Sequence, residues 1–275
     1  MKKKLLFSLY FITIIAGIVL LNYYLGLDNS ETKDPIKVAI LDSGIYEKHD
    51  FFENVNFKSY NSIENSSEKA IDDLNHGTGI ASLIVNPLNK EERANVIFYN
   101  VKIVTEDGIG NPDYMIKGLR WAIKEKVDVI NISAGFQTNN TEVENLVNQA
   151  YENGIVIIAS AGNNLGLDTD YPAKLKKVIS VSSISSNKTQ SLSSSIGKID
   201  FVSIGEKVKV ANNKNTYEFR NGSSYATAKV TAFLVKSMIE NEKIRGFENS
   251  YRYLLGSANK SISNDKSIFG NGYIE

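Results

Sequence analysis

The chain has 275 residues, with 31 Lys plus Arg against 31 Asp plus Glu, so no basic surplus points to nucleic acid and no acidic surplus to a disordered, solvating chain. It contains no cysteine, which excludes a disulfide framework, a thiol nucleophile and thiolate metal sites, and leaves packing alone to hold the fold. With only four prolines and no long Pro- or Ser-rich linker, one large domain with a buried core is the starting expectation.

The predicted elements begin with Lys2, Lys3 and Lys4 ahead of a run over residues 5–21 that carries no charge. Continued to residue 27, the run reaches the roughly 20 residues a membrane-crossing helix needs, with Tyr23 and Tyr24 at the far interface. Leu20, Leu21, Asn22 and Tyr23 offer no small-x-small cleavage pattern, which favours an uncleaved anchor over a signal peptide. Residues 1–27 are therefore expected as a signal-anchor or signal peptide, 28–35 as a polar linker and 36–275 as the folded domain. The domain would face outward from the cell membrane, or be secreted if the segment is cut.

Within the domain, β-branched runs predict strands over residues 37–41, 95–101, 127–132, 155–159 and 178–181. Apolar spacing of three and four predicts helices over 76–85, 113–126, 141–153 and 224–241. This alternation is that of an α/β fold, a doubly wound, mostly parallel sheet with helices on both faces. In such sheets, active groups collect where strands end and helices begin.

Three residues stand at such places. Asp42 ends the first strand in Leu41-Asp42-Ser43-Gly44; alone it reads equally as a turn former. His76 heads a helix in Asn75-His76-Gly77-Thr78-Gly79, and only His49 competes with it as an imidazole base. His49 lies among Glu47, Lys48, Asp50 and Phe51, where a surface or packing role fits. Ser224 follows Gly222-Ser223 and opens a long apolar helix, where a serine is ordinarily a cap. The chain order Asp, His, Ser is one of the known orders of the serine-protease triad, that of subtilisin.

Val38-Ala39-Ile40-Leu41-Asp42-Ser43-Gly44, His76-Gly77-Thr78-Gly79-Ile80-Ala81 and Gly222-Ser223-Ser224-Tyr225-Ala226-Thr227-Ala228 resemble the three signature blocks of the subtilase family (peptidase S8). Asn131-Ile132-Ser133-Ala134-Gly135, Ala159-Ser160-Ala161-Gly162-Asn163, Tyr171-Pro172-Ala173 and Phe269-Gly270-Asn271-Gly272-Tyr273 lie between and after them in the family's order. The resemblance implies a serine endopeptidase acting on peptide or protein substrates through Asp42, His76 and Ser224, with Asn163 as oxyanion donor. By alignment the nucleophile is Ser224 and not Ser223. It further implies that Ser133, Ala134 and Gly135 pair with the substrate backbone, and that Ala159, Ser160 and Ala161 wall the pocket for the residue before the cut. Asp170 would lie at the floor of that pocket, where a carboxylate favours lysine or arginine. Taken alone, Asp170 and its neighbour Asp168 also suit a solvated loop.

Gly79 stands where many relatives carry a second histidine, and Ala228 where they carry proline. The stretch over residues 80–95 lacks a recognisable calcium loop, so no cofactor or metal is assigned. The first signature block follows the apolar run without space for a pro-domain, so the domain is expected to fold unaided or with a helper in trans. In its compactness the chain is similar to leader peptidases of lantibiotic biosynthesis. The competing expectation is a non-catalytic, membrane-tethered subtilase scaffold that grips peptides. A nucleotide site is disfavoured, because no glycine-rich pyrophosphate turn opens a helix.

Overall fold

A computed structural model describes residues 13–17, 20–21, 34–67, 70–262 and 264–275. The expected anchor falls largely outside the described residues. Within it, residues 13–17 and 20–21 are helical, and among the described residues no helix is long and apolar enough to cross a membrane. Pro35–Glu275 forms a unit of its own, and it carries every strand named below.

Strand β1 (Ile36–Asp42) shows how the sheet is covered on both faces. Side chains alternate along a strand, so Val38 and Ile40 enter one apolar layer while Ala39 and Leu41 enter the other. Buried on both sides, the strand reads as a near-continuous apolar run, as parallel strands do. Its neighbours are β2 (Asn56–Asn61), β3 (Val96–Lys102), β4 (Val129–Ile132), β5 (Val156–Ser160), β6 (Ile179–Ile184) and β7 (Phe201–Ile204). They form a seven-stranded sheet in the order β2-β3-β1-β4-β5-β6-β7, parallel at every pairing. A separate antiparallel hairpin joins β8 (Val208–Ala211) to β9 (Tyr217–Arg220).

Helices α1 (Gly77–Val85) and α5 (Ser223–Glu240) pack on the Val38 face, and α3 (Pro112–Lys124) and α4 (Thr141–Glu152) on the Leu41 face. Asn111 caps α3 through the backbone N–H of Asp113 at 2.8 Å, and Asn140 caps α4 through that of Glu142 at 3.0 Å, so polar side chains replace the missing bonds of each first turn. Three further α-helices are α2 (Lys90–Ala94), α6 (Phe247–Ser257) and α7 (Lys266–Phe269).

The five predicted strands and four predicted helices are present within a few residues of their expected bounds. The elements added by the structure lie at the margins. β2 is an edge strand whose Asn56, Lys58 and Ser59 hide any apolar alternation, and β8 and β9 each span four residues.

Candidate active site

The parallel sheet delivers its strand ends to one edge, and Asp42 is the last residue of β1. The next residues turn sharply beside the start of α1, and the two backbones come so close that a Cβ on Gly77 would overlap the carbonyl oxygen of Gly44. Only glycine at 77 lets the His76 turn settle against the end of β1.

At that contact His76 Nδ1 lies 2.7 Å from Asp42 Oδ1. The same oxygen accepts the backbone N–H of Ser43 at 2.7 Å, while Asp42 Oδ2 is buried without a hydrogen-bond partner. A carboxylate so placed gains from positive charge on its neighbour. Burial pulls the His76 imidazole downward, but the charge and hydrogen bond of Asp42 outweigh it, helped by Asp72 and opposed by Arg220, and the net displacement is above the ordinary histidine value. The His76 side chain is 27% exposed against 3% for Asp42, so one edge of the ring is open to a reacting group. Tyr225 packs on the ring, with centroids 5.4 Å apart.

His49 contrasts with this. Its Nδ1 accepts the Phe51 N–H at 3.0 Å and its Nε2 lies 3.1 Å from the Thr216 carbonyl, which requires the neutral tautomer protonated at Nε2. Both nitrogens are engaged and the ring is buried among Phe51, Phe52 and Tyr217, which gives it a packing role.

Ser223 and Ser224 occupy the first turn of α5, and their hydroxyls have different surroundings. Ser223 is fully buried, with Oγ 2.6 Å from Ser160 Oγ, 3.0 Å from the Gly162 carbonyl and 3.0 Å from Asn163 Oδ1. The Ser224 hydroxyl instead donates to the Ser133 carbonyl at 3.3 Å, on the segment that leaves β4. Asn163 Oδ1 also accepts the backbone N–H of Ser223 at 2.9 Å. Gly222, at φ +138°, precedes this turn, and a Cβ there would stand 3.1 Å from Asn163 Nδ2.

Ser133, Ala134 and Gly135 follow β4, with Gly135 exposed. Ala159 and Ala161 are fully buried in the core, and Ser160 turns its hydroxyl to Ser223. Asp170 links the two strips: its N–H donates to the Ala161 carbonyl at 2.9 Å, and the next residue, Tyr171, exchanges backbone bonds with Phe136 at 2.7 and 2.8 Å. A Cβ on Gly135 would stand 2.9 Å from Asp170 Cβ, and one on Gly162 would overlap Asp170 Oδ2. The Asp170 carboxyl is half-buried between the strips, and burial pushes its pKa up. Asp168, by contrast, is exposed and pairs with Lys174.

Gly79 lies against Val210 and Tyr225, so packing fills the ground beside it. Among the described residues, no three His, Asp or Glu side chains gather to hold a metal ion. The main site residue missed by reading the sequence is Asp72, a buried carboxylate behind His76. Its place four residues before the histidine is visible in the chain, but Asp72-Asp73 looks like a solvated pair until the fold buries one member.

A model of the subtilase family, Peptidase S8, matches residues 33–272. Subtilisin DY of Bacillus licheniformis is 32% identical over 204 residues, covering 71% of this chain and 73% of the relative. Subtilisin E of Bacillus subtilis (strain 168) is 33% identical over 209 residues, covering 72% of this chain and 54% of the relative. Among solved structures, a lanthipeptide protease superposes with TM-score 0.74 at 21% identity, covering 87% of this chain and 85% of the other. The prenylagaramide maturation protease PagA gives 0.72 at 21% identity, covering 89% and 92%. A cold-adapted subtilisin-like serine proteinase gives 0.77 at 23% identity, covering 86% and 87%, which shows a subtilisin-like α/β fold. With the family matched over most of its length and a subtilisin at this identity, the chain belongs to the subtilase family of serine endopeptidases.

Proposed function

We propose that the chain cleaves peptide bonds with Ser224 as nucleophile, His76 as general base and acid, Asp42 as its orienting carboxylate and Asn163 as oxyanion donor. The observation that carries this reading is the 2.7 Å contact of Asp42 with His76 Nδ1, which leaves Nε2 as the nitrogen able to take a proton. On substrate binding the Ser224 hydroxyl swings from the Ser133 carbonyl to His76 and its oxygen attacks the scissile carbonyl carbon, passing its proton to Nε2. The imidazolium is stabilised by Asp42 and returns the proton to the leaving amine. Water then repeats the sequence in reverse on the acyl-enzyme. The developing oxyanion is met by Asn163 Nδ2 and the Ser224 backbone N–H.

The substrate strand lies along Ser133–Gly135, and the residue before the cut enters between that strip and Ala159–Ala161. Asp170, whose Oδ1 accepts from Asn164 Nδ2 at 3.5 Å with no cation bonded to it, would at its floor select lysine or arginine, since a half-buried carboxylate gains most from a cationic guest. Such selectivity suits a dedicated processing enzyme, one that trims a leader from a precursor peptide; the fold shared with a lanthipeptide protease and a maturation protease supports this choice. The three lysines and the apolar run over 5–21 would tether the domain outside the cell membrane, a placement that membrane fractionation with external protease digestion tests.

The central experiment is labelling with a serine-directed phosphonate. Adduct on Ser224, lost with His76→Ala, together with absence of cleavage by folded Ser224→Ala, is the expected result. A folded, unlabelled wild type would return the chain to a peptide-binding scaffold.

A further inference from the structure

Helix α1 begins in an unusual way. The residue at its N-cap, His76, makes no capping bond with its own side chain and has helical rather than extended backbone angles. The imidazole is committed to Asp42, so the free N–H groups of the first turn need another acceptor. Asp72 supplies it from four residues upstream. Its Oδ1 accepts the His76 N–H at 3.3 Å and its Oδ2 accepts the Thr78 N–H at 2.9 Å. The Thr78 hydroxyl donates to Oδ2 at 2.6 Å and the Ser43 hydroxyl to Oδ1 at 2.7 Å. Ser43 Oγ in turn accepts another first-turn N–H, that of Gly77, at 3.0 Å.

The carboxylate is buried, 2% exposed, and every bond just described enters it from a donor. Both of its oxygens are held as acceptors and fixed in place. Its four donors also join two separate pieces of chain: the residue after Asp42, and the start of α1 at His76 and Thr78, whose oxygen accepts the Tyr46 N–H at 2.9 Å. The two members of the Asp42–His76 pair are thus tied to one another twice, once through their side chains and once through Ser43 and Asp72.

We propose that Asp72 is a positioning residue for the general base: a second buried carboxylate that locks the His76 backbone to the end of β1 and adds a fixed negative charge behind the imidazole. This rests on the reading of His76 as the base. The charged and titratable groups that face His76 are Asp42 from β1, Asp72 from the preceding loop, Arg220 and Glu218 from β9, and Tyr225 from α5. Arg220 is held to Glu218 at 2.6 Å, which leaves Asp72 as the carboxylate beyond Asp42 whose charge bears on the ring without a cation bonded to it.

The test uses the full chain with Asp72→Asn and Ser43→Ala. The amide of the first variant keeps the shape but loses the charge, so kcat falls about 10-fold with KM little changed, and the acidic limb of the kcat/KM profile moves to lower pH. Ser43→Ala keeps the charge and cuts the tie, so kcat falls with no movement of the limb. The His76 ring is also titrated by NMR in a Ser224→Ala background, where only two histidines contribute signals. A lower His76 pKa with Asp72→Asn supports the proposal without any catalysis; an unmoved pKa and unchanged kcat, with only thermal stability reduced, reduce Asp72 to a helix cap and overturn it. If Asp72→Asn fails to fold, Ser43→Ala decides alone: unchanged kcat overturns the tie. Cleavage surviving Ser224→Ala would instead sink the catalytic reading, and is separately visible.

Discussion

Asn163 Oδ1 accepts the backbone N–H of Ser223 at 2.9 Å, and this bond fixes which way round the amide lies. A backbone N–H can be met only by the oxygen, so Nδ2 is the end of the amide left to serve as a donor in the proposed mechanism. Asn163→Ala is therefore expected to lower kcat by about 10²–10³-fold with little change in KM, a magnitude carried over from the equivalent loss in a subtilisin. Steady-state kinetics on a single peptide measures it. An equal rise in KM at constant kcat would mean that Asn163 holds the ground state instead.

The two adjacent serines separate cleanly. In the proposed mechanism Ser224→Ala removes the attacking oxygen and is expected to abolish acyl-enzyme formation. Ser223→Ala and Ser160→Ala remove only the hydroxyls behind Asn163, so each is expected to cost less than about 10-fold in kcat. Burst kinetics with an ester substrate should show the burst lost in the first variant and kept in the other two.

In the proposed mechanism His76 sets the pH dependence. Its pKa lies above the ordinary value of about 6.5, burial being outweighed by Asp42, so the acidic limb of kcat/KM lies above that pH. Asp42→Asn should move the limb down and lower kcat by about 10⁴-fold. For stability the sign is opposite to that of activity. The folded state binds the proton more tightly, so the Asp42–His76 contribution is complete below about pH 6.5 and is lost as pH rises through the folded value. Denaturant melts across this window, in wild type and Asp42→Asn, check it.

Asp170→Ser should cut the preference for lysine or arginine over leucine by about 10²-fold, read as a ratio of kcat/KM values. The wild-type preference should fade as pH falls through the Asp170 pKa, at higher pH than for an aspartate at about 3.9, because burial disfavours its ionised form. A large apolar residue preferred before the cut in the wild type would remove Asp170 from the pocket floor.

Gly77→Ala probes the seam between β1 and α1. The added methyl meets the Gly44 carbonyl, and the forced separation is expected to cost about 1–3 kcal/mol. Activity should fall by more than the folded fraction does, since the same seam carries the Asp42–His76 contact.

Much of this site is legible in the chain because its parts are local. A strand ending at Asp42, a helix opening at His76 and a serine pair opening another helix are each short-range patterns, and the central strands are plain because burial on both faces makes them uniformly apolar. What stays hidden depends on tertiary approach. Asp72 looks like half of a solvated acidic pair until the fold packs it under Ser43 and Thr78. The side-chain direction of Ser160 is set by a partner 63 positions away. β2 escapes because an edge strand, with polar Asn56, Lys58 and Ser59, has no apolar rhythm to display.

The strand order also has a consequence in time. β1 sits between β3 and β4, both synthesised after it, and α1 packs against α5, the last long helix of the domain. A chain emerging from its N-terminus carries Asp42 and His76 well before the segment bearing Ser224 exists, and non-local pairings of this kind form late. On the proposed assignment of Ser224, hydrolytic competence is expected to arrive with the finished fold and not before it. The order in which the polypeptide is made would then keep the nascent protease from cutting its surroundings, or itself, while its own loops are still open.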